Sequence, residues 1–149
     1  MHAYYEEAAK ALKAVLERPE STECVIAMPP GAMKAEYLRV LKKYEGIRVV
    51  ITDQPENILE RLRFYDIDSR PIEIEMTPKK RGLYLTKIKG DITYYRKSYT
   101  RAHLHVDISG LDPLQSAHKV IEQIKTYQTT SPNPTAPATP STPIAAANS

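Results

Sequence analysis

The residues best placed to do chemistry lie in Phe64-Tyr-Asp-Ile-Asp-Ser-Arg-Pro71, a polar connection between an amphipathic helix and a long basic helical segment. Arg70 precedes Pro71, and the ring biases such a residue away from the α region. The chain is therefore expected to leave the helix and run extended there, with the guanidinium free to reach a ligand. A planar, permanently charged fork of donors suits phosphate and carboxylate oxygens, so the segment reads as a lid over a phosphate site. The competing reading is a surface loop in which Asp66, Asp68 and Arg70 pair with one another or with water. Further on, residues 79–101 hold eight basic residues and one acid, Asp91. That imbalance offers an anion-binding surface, or simply a solvated face. His103 and His105 would share one side of a strand, a spacing that could suit a metal. No third ligand is near, and no metal site is expected. Cys24 lies in an apolar run and reads as core.

These residues need a frame. The pattern Ala8, Leu12, Val15, Leu16 predicts an amphipathic helix over residues 3–17, ended by Pro19. Cys24-Val-Ile-Ala-Met28 is a short continuous apolar run that suits a strand buried on both faces, followed by a loop at Pro29-Pro30-Gly31. A helix through Tyr37, Leu38 and Leu41 stops at Gly46, and Ile47-Arg-Val-Val-Ile-Thr52 gives a second buried strand. Asp53-Gln-Pro-Glu56 reads as a capped helix start carrying Ile58, Leu59 and Leu62 as its buried stripe. Thr77-Pro78 repeats that start and opens the long helix, whose Leu85, Ile88, Ile92, Tyr95 and Tyr99 share one face. Gly82 and Gly90 predict a bend or break in it. A third strand over residues 103–108 and a last helix with Leu114, Ala117, Ile121 and Ile124 on one face complete the order. Alternating helices and strands predict an α/β layered fold with a parallel sheet. In such sheets ligands sit at the carboxyl ends of the strands, here residues 29–33, 52–55 and 109–112.

Composition bounds the function. The chain has 149 residues and a net charge of +3, and it reads as one domain over residues 1–127. Residues 128–149, uncharged and rich in Pro, Thr and Ala, are expected to be disordered. A single cysteine excludes an intrachain disulfide and fits a reducing compartment, so a cytoplasmic location is expected. No apolar stretch approaches the roughly 18 residues of a membrane helix, and no signal-peptide pattern opens the chain, so no membrane partner is expected. Nucleic acid is an unlikely partner on this reading, because Tyr95 and Tyr99 fall on the predicted apolar face and not where bases could stack.

Read together, Val25-Ile-Ala-Met-Pro-Pro-Gly-Ala-Met33, Val49-Val-Ile-Thr-Asp-Gln-Pro-Glu-Asn-Ile-Leu-Glu-Arg-Leu62, Ser69-Arg-Pro71 and His105-Val-Asp-Ile-Ser-Gly-Leu-Asp-Pro113 resemble the C-terminal two-thirds of shikimate kinase, over about residues 3 to 125. The resemblance implies a P-loop kinase fold with sheet order 2-3-1-4-5, in which this chain supplies strands 3, 4 and 5 and lacks the first two. It implies phosphoryl transfer from ATP, with Mg2+, to shikimate or another small hydroxylated acid in aromatic amino acid biosynthesis. Arg70 corresponds to the lid arginine, catalytic and nucleotide-binding. Arg96, or alternatively Arg101, corresponds to the arginine that binds the substrate carboxylate, and Arg101 is also a nucleotide-binding candidate. Pro30 and Gly31 fall in the substrate-binding loop.

The sequence also departs from that pattern. The family's glycine triplet is represented by Pro29, Pro30 and Gly31, and a substrate arginine near the start of the first helix is replaced by Tyr5. No Gly-x-x-x-x-Gly-Lys-Ser/Thr occurs, nor the acidic residue that orients the substrate hydroxyls. That loop supplies the backbone donors, the lysine and the Mg2+ hydroxyl on which phosphoryl transfer depends, so the chain alone should turn over negligibly. A truncated reading frame is the expectation, with the missing strands supplied upstream or by another chain, unless strands 3 and 4 rejoin directly. The alternative is a non-catalytic module of the same ancestry that binds an anionic metabolite or regulates a partner enzyme.

Overall fold

The computed structural model describes residues 2–31 and 33–131. Helix α1 spans His2–Leu16, followed by a 3-10 turn at Pro19–Glu23. Helix α2 (Ala35–Leu41), strand β1 (Val49–Thr52), helix α3 (Pro55–Arg61) and a short hairpin of β2 (Phe64–Tyr65) and β3 (Pro71–Ile72) come next. Helix α4 (Pro78–Tyr99), strand β4 (Leu104–Asp107) and helix α5 (Pro113–Thr130) complete the order. The fold is mixed α/β. β1 and β4 pair in parallel with Val50 opposite His105 and Ile51 opposite Val106. The hairpin pairs Phe64 with Ile72.

The helix starts form as the sequence predicts. Gln54 stands at the N-cap position of α3 without a side-chain capping bond, and Pro55 follows in the first turn, where the missing N–H costs nothing. The Thr77 hydroxyl accepts from Lys80 N–H at the start of α4. Asp112 caps α5 in a reciprocal box, its carboxylate accepting from Gln115 N–H at 2.8 Å while the Gln115 side chain accepts from Asp112 N–H at 3.0 Å. α4 runs unbroken through Gly82 and Gly90, contrary to the expected break. α5 keeps Gln128, Thr129 and Thr130 helical; the rest of the expected tail, residues 132–149, lies outside the described residues.

The core is built chiefly where α1 meets α2. Ala9, Leu12 and Tyr37 are buried there, with Tyr5, Ala8, Leu16, Ile26, Met28, Val40 and Leu41 against them. Met33 and Leu38 continue it towards Tyr99. Three expectations are corrected. Residues 24–28 are not a strand: Cys24 is extended (φ −122°, ψ 160°), yet no backbone hydrogen bond engages this stretch among the described residues. Ile26 and Met28 turn onto the helical core while Val25 stands fully exposed and Cys24 lies at the surface. One face of the run packs on helices, and among the described residues its backbone has no ladder partner. β1 is buried on one face only, with Val50 inside and Ile51 57% exposed. α5 is rotated from its predicted seat. Ser116 is buried and Val120, Ile124 and Tyr127 are half-buried, while Leu114 and Ile121 are exposed.

Candidate functional site

The strongest polar convergence gathers around the loop after residues 24–28. Lys34 N–H donates to the Gly31 carbonyl at 2.9 Å, closing a tight turn in which Gly31 has φ 86°. A Cβ at Gly31 would stand 3.2 Å from Tyr95 Cε1 and 3.4 Å from Tyr5 Oη, so the positive φ favours glycine and any side chain would press on the Tyr95 ring. The bare face of Gly31 is thus filled by tyrosines from α1 and α4.

Lys34 projects into the same tyrosine group. Its Nζ lies 4.5 Å from the Tyr5 ring centroid, 5.1 Å from Tyr94 and 6.0 Å from Tyr95, and it donates to Tyr94 Oη at 3.2 Å. The hydrogen bond to Tyr94, and after it that to Tyr5, raise the Lys34 pKa against the opposing effect of desolvation. Tyr95 is packed between Tyr94 (4.9 Å, edge-on) and Tyr99 (5.8 Å, stacked), and burial pushes its phenol above the ordinary value. Arg101 Nη1 donates to the Met33 carbonyl at 3.0 Å. One ammonium and three phenols therefore converge from α1, the loop and α4, and the Arg101 guanidinium, just past α4, reaches the same loop at Met33. Donors and positive charge of this kind suit an oxyanion.

Of the residues singled out in the sequence, Gly31 lies in this group and Arg101 reaches the same loop at Met33. Pro30 lies exposed on the loop. Arg96 lies on the solvent side of α4. Arg70 is elsewhere. Its hairpin turn is organised by Asp66, whose carboxylate accepts from Asp68 N–H and Arg70 N–H, both at 2.9 Å, with Ser69 at φ 61°. Asp66 N–H donates to the Arg70 carbonyl at 2.9 Å, so the backbone is extended as expected and the side chain is exposed. The carboxylate binds main chain and not the guanidinium, so the expected Asp–Arg pairing is absent at Asp66. The hairpin sits over the first half of α4 through Phe64 against Tyr84, centroids 5.3 Å apart. Twelve residues of helix, roughly 18 Å along its axis, separate Tyr84 from Arg96.

The loops at the carboxyl ends of the parallel strands are closed on themselves. Asp53 accepts from Gln54 N–H at 2.7 Å and Asn57 Nδ2 at 2.8 Å and forms an ion pair with Arg61. Asp107 accepts from Ser109 N–H at 2.9 Å and Ser109 Oγ at 2.6 Å, and these bonds hold its carboxyl below the usual range. On α4, Arg81 pairs with Glu60 at 2.7 Å and Lys89 with Glu56 at 3.7 Å. These pairs neutralise part of the basic surface. His105 Nε2 lies 2.9 Å from the Tyr99 carbonyl and His103 faces Arg48. No three His, Cys, Asp or Glu side chains converge among the described residues.

Lys34, Tyr5 and Tyr94 had not been identified as site residues. Lys34 is 60 positions from Tyr94, and no local spacing announces such a contact. Comparison with protein-family models, with curated proteins and with solved structures returns no match. No helix among the described residues is long and apolar enough to cross a membrane.

Proposed function

We propose that this chain is the acceptor-and-lid part of a shikimate-kinase-like phosphotransferase, whose complete form moves the terminal phosphoryl group of ATP onto a small hydroxylated acid. The observation that carries this reading is the unfinished sheet. Cys24 is extended, residues 24–28 join no ladder among the described residues, Val25 is fully exposed, and the parallel β1/β4 pair leaves Ile51 in solvent. A P-loop order of 2-3-1-4-5 places its nucleotide strand between these two runs. In this reading Arg96, or alternatively Arg101 on the Met33 carbonyl, holds the substrate carboxylate, and Arg70 on its hairpin acts on the transferring phosphoryl group. The residues of this chain do not themselves fit ATP and Mg2+. The sequence has no Walker loop, and the Gly31 face is occupied by Tyr95 and Tyr5.

The covered face of Gly31 favours a second reading, a non-catalytic module that binds an anionic metabolite through Lys34 and Arg101. Calorimetric titration with shikimate and with a simple aromatic carboxylate such as benzoate separates the two. The first reading requires saturable shikimate binding, weakened about tenfold or more in Arg96→Ala or Arg101→Ala. Equal affinity for both acids supports the second. No binding of either by the folded chain contradicts both.

A further inference from the structure

Helix α4 has 22 residues and none of them is buried. Its half-buried side carries Tyr84, Leu85, Ile88, Tyr95 and Tyr99. Towards α3 its cations are neutralised, Arg81 by Glu60 and Lys89 by Glu56. The outer side differs. Lys79, Lys87, Arg96 and Lys97 are exposed and pair with no carboxylate among the described residues. Lys80 reaches only the Glu75 carbonyl, at 3.2 Å, which leaves its charge uncompensated. Asp91 is the single acid in the helix. At about 100° per residue, Lys79, Lys80, Leu83, Lys87, Tyr94 and Lys97 share one face. From Lys80 to Lys97 that face runs roughly 26 Å along the axis. Lys34 Nζ, bonded to Tyr94 Oη at 3.2 Å, adds a cation at its edge.

We propose that this outer face of α4 docks single-stranded nucleic acid, its lysines meeting phosphates and Tyr94 stacking on an unpaired base. A row of like charges without acidic partners is complemented by a polyanion. The tyrosines choose among polyanions. Tyr95 and Tyr99 turn inward, as the sequence pattern predicts, but Tyr94 beside them is 64% exposed among the lysines and has a ring free for a base. A duplex keeps its bases stacked on one another and offers no base face to such a ring. An anionic membrane calls for a broad apolar face, and here the apolar members are Leu83 and Tyr94. The proposal stands independently of the kinase-like reading.

Fluorescence anisotropy of labelled oligo-dT and oligo-rU, titrated with the full chain over a range of salt concentrations, tests it. The expected result is saturable binding whose log affinity falls with log salt at a slope of about −2 to −3, since each neutralised phosphate of a single strand contributes about −0.7. Lys87→Gln should flatten that slope by about 0.7, while Lys125→Gln, an exposed lysine of α5, leaves it unchanged. Tyr94→Leu should weaken binding about fivefold or more, and Tyr94→Phe, which keeps a ring, should retain it. Binding to either strand supports the proposal, and the tighter one names the sugar. No binding at low salt, equal affinity in Tyr94→Leu and wild type, a slope unmoved by Lys87→Gln, or tighter binding to the dT·dA duplex would overturn it. Capture by phosphatidylserine vesicles without binding to either strand would assign the face to a membrane and overturn it too.

Discussion

Gly31 and Lys34 show how single residues fix the candidate site. Gly31→Ala forces a Cβ into a left-handed turn and against Tyr95 Cε1, so it should lower unfolding free energy by about 1–3 kcal/mol, read as a fall in denaturant midpoint. Lys34→Met keeps the stem but removes the ammonium between Tyr5, Tyr94 and Tyr95, and should lower Tm while loosening the ring contacts seen by aromatic NMR shifts. Asp107 gives a pH signature. Its folded pKa is depressed, so its contribution is present above the unfolded value of about 4 and is lost as pH falls through the lower folded value. The Tm difference between wild type and Asp107→Asn should therefore be largest above about pH 5 and vanish at more acid pH. A difference that persists unchanged into acid would assign the effect to shape and not to charge.

At the scale of elements, local chemistry made much of the chain legible. Asp-Gln-Pro, Thr-Pro and Asp-Pro each marked a helix start, because a missing N–H is harmless in the first turn and the preceding residue can cap it. Asp112→Ala should cost about 1 kcal/mol by removing one side of the capping box. Gly90 stands exposed within α4 with open space around it, so Gly90→Ala should stabilise by about 0.4–1 kcal/mol. Apolar runs were less legible. Val49-Val-Ile-Thr52 and Cys24-Val-Ile-Ala-Met28 look alike in sequence, yet only the first found a ladder. Whether a strand forms depends on a partner that the run itself does not specify. The face of α5 was misassigned for a related reason. Ser116 and Tyr127 contribute to its inner side, and a polar small residue and a phenol carry little signal in an apolar count.

For the molecule as a whole, apolar side chains stand exposed on an extended segment, a strand and a helix. Val25, Ile51, Leu114 and Ile121 stand open, and a groove of about 260 Å3 runs between α1 and the 24–29 stretch, lined by Ala8, Leu12, Val15, Ile26 and Met28 among others. The basic character of α4 was plain from composition, but its partial neutralisation by Glu56 and Glu60 of α3 was not, because those pairs join residues more than twenty positions apart. The candidate site was legible only in Gly31 and Arg101. The separation of Arg70 from them is a property of the long unbroken α4. We have proposed for this chain acceptor and lid residues without a phosphate cradle. The most direct measurement is ADP release from ATP and Mg2+ by the folded chain, with and without shikimate, beside an Arg70→Ala variant. The account predicts no shikimate-dependent release from either protein. Shikimate-dependent turnover that disappears in Arg70→Ala would contradict it, because a working phosphate site would then lie within these residues.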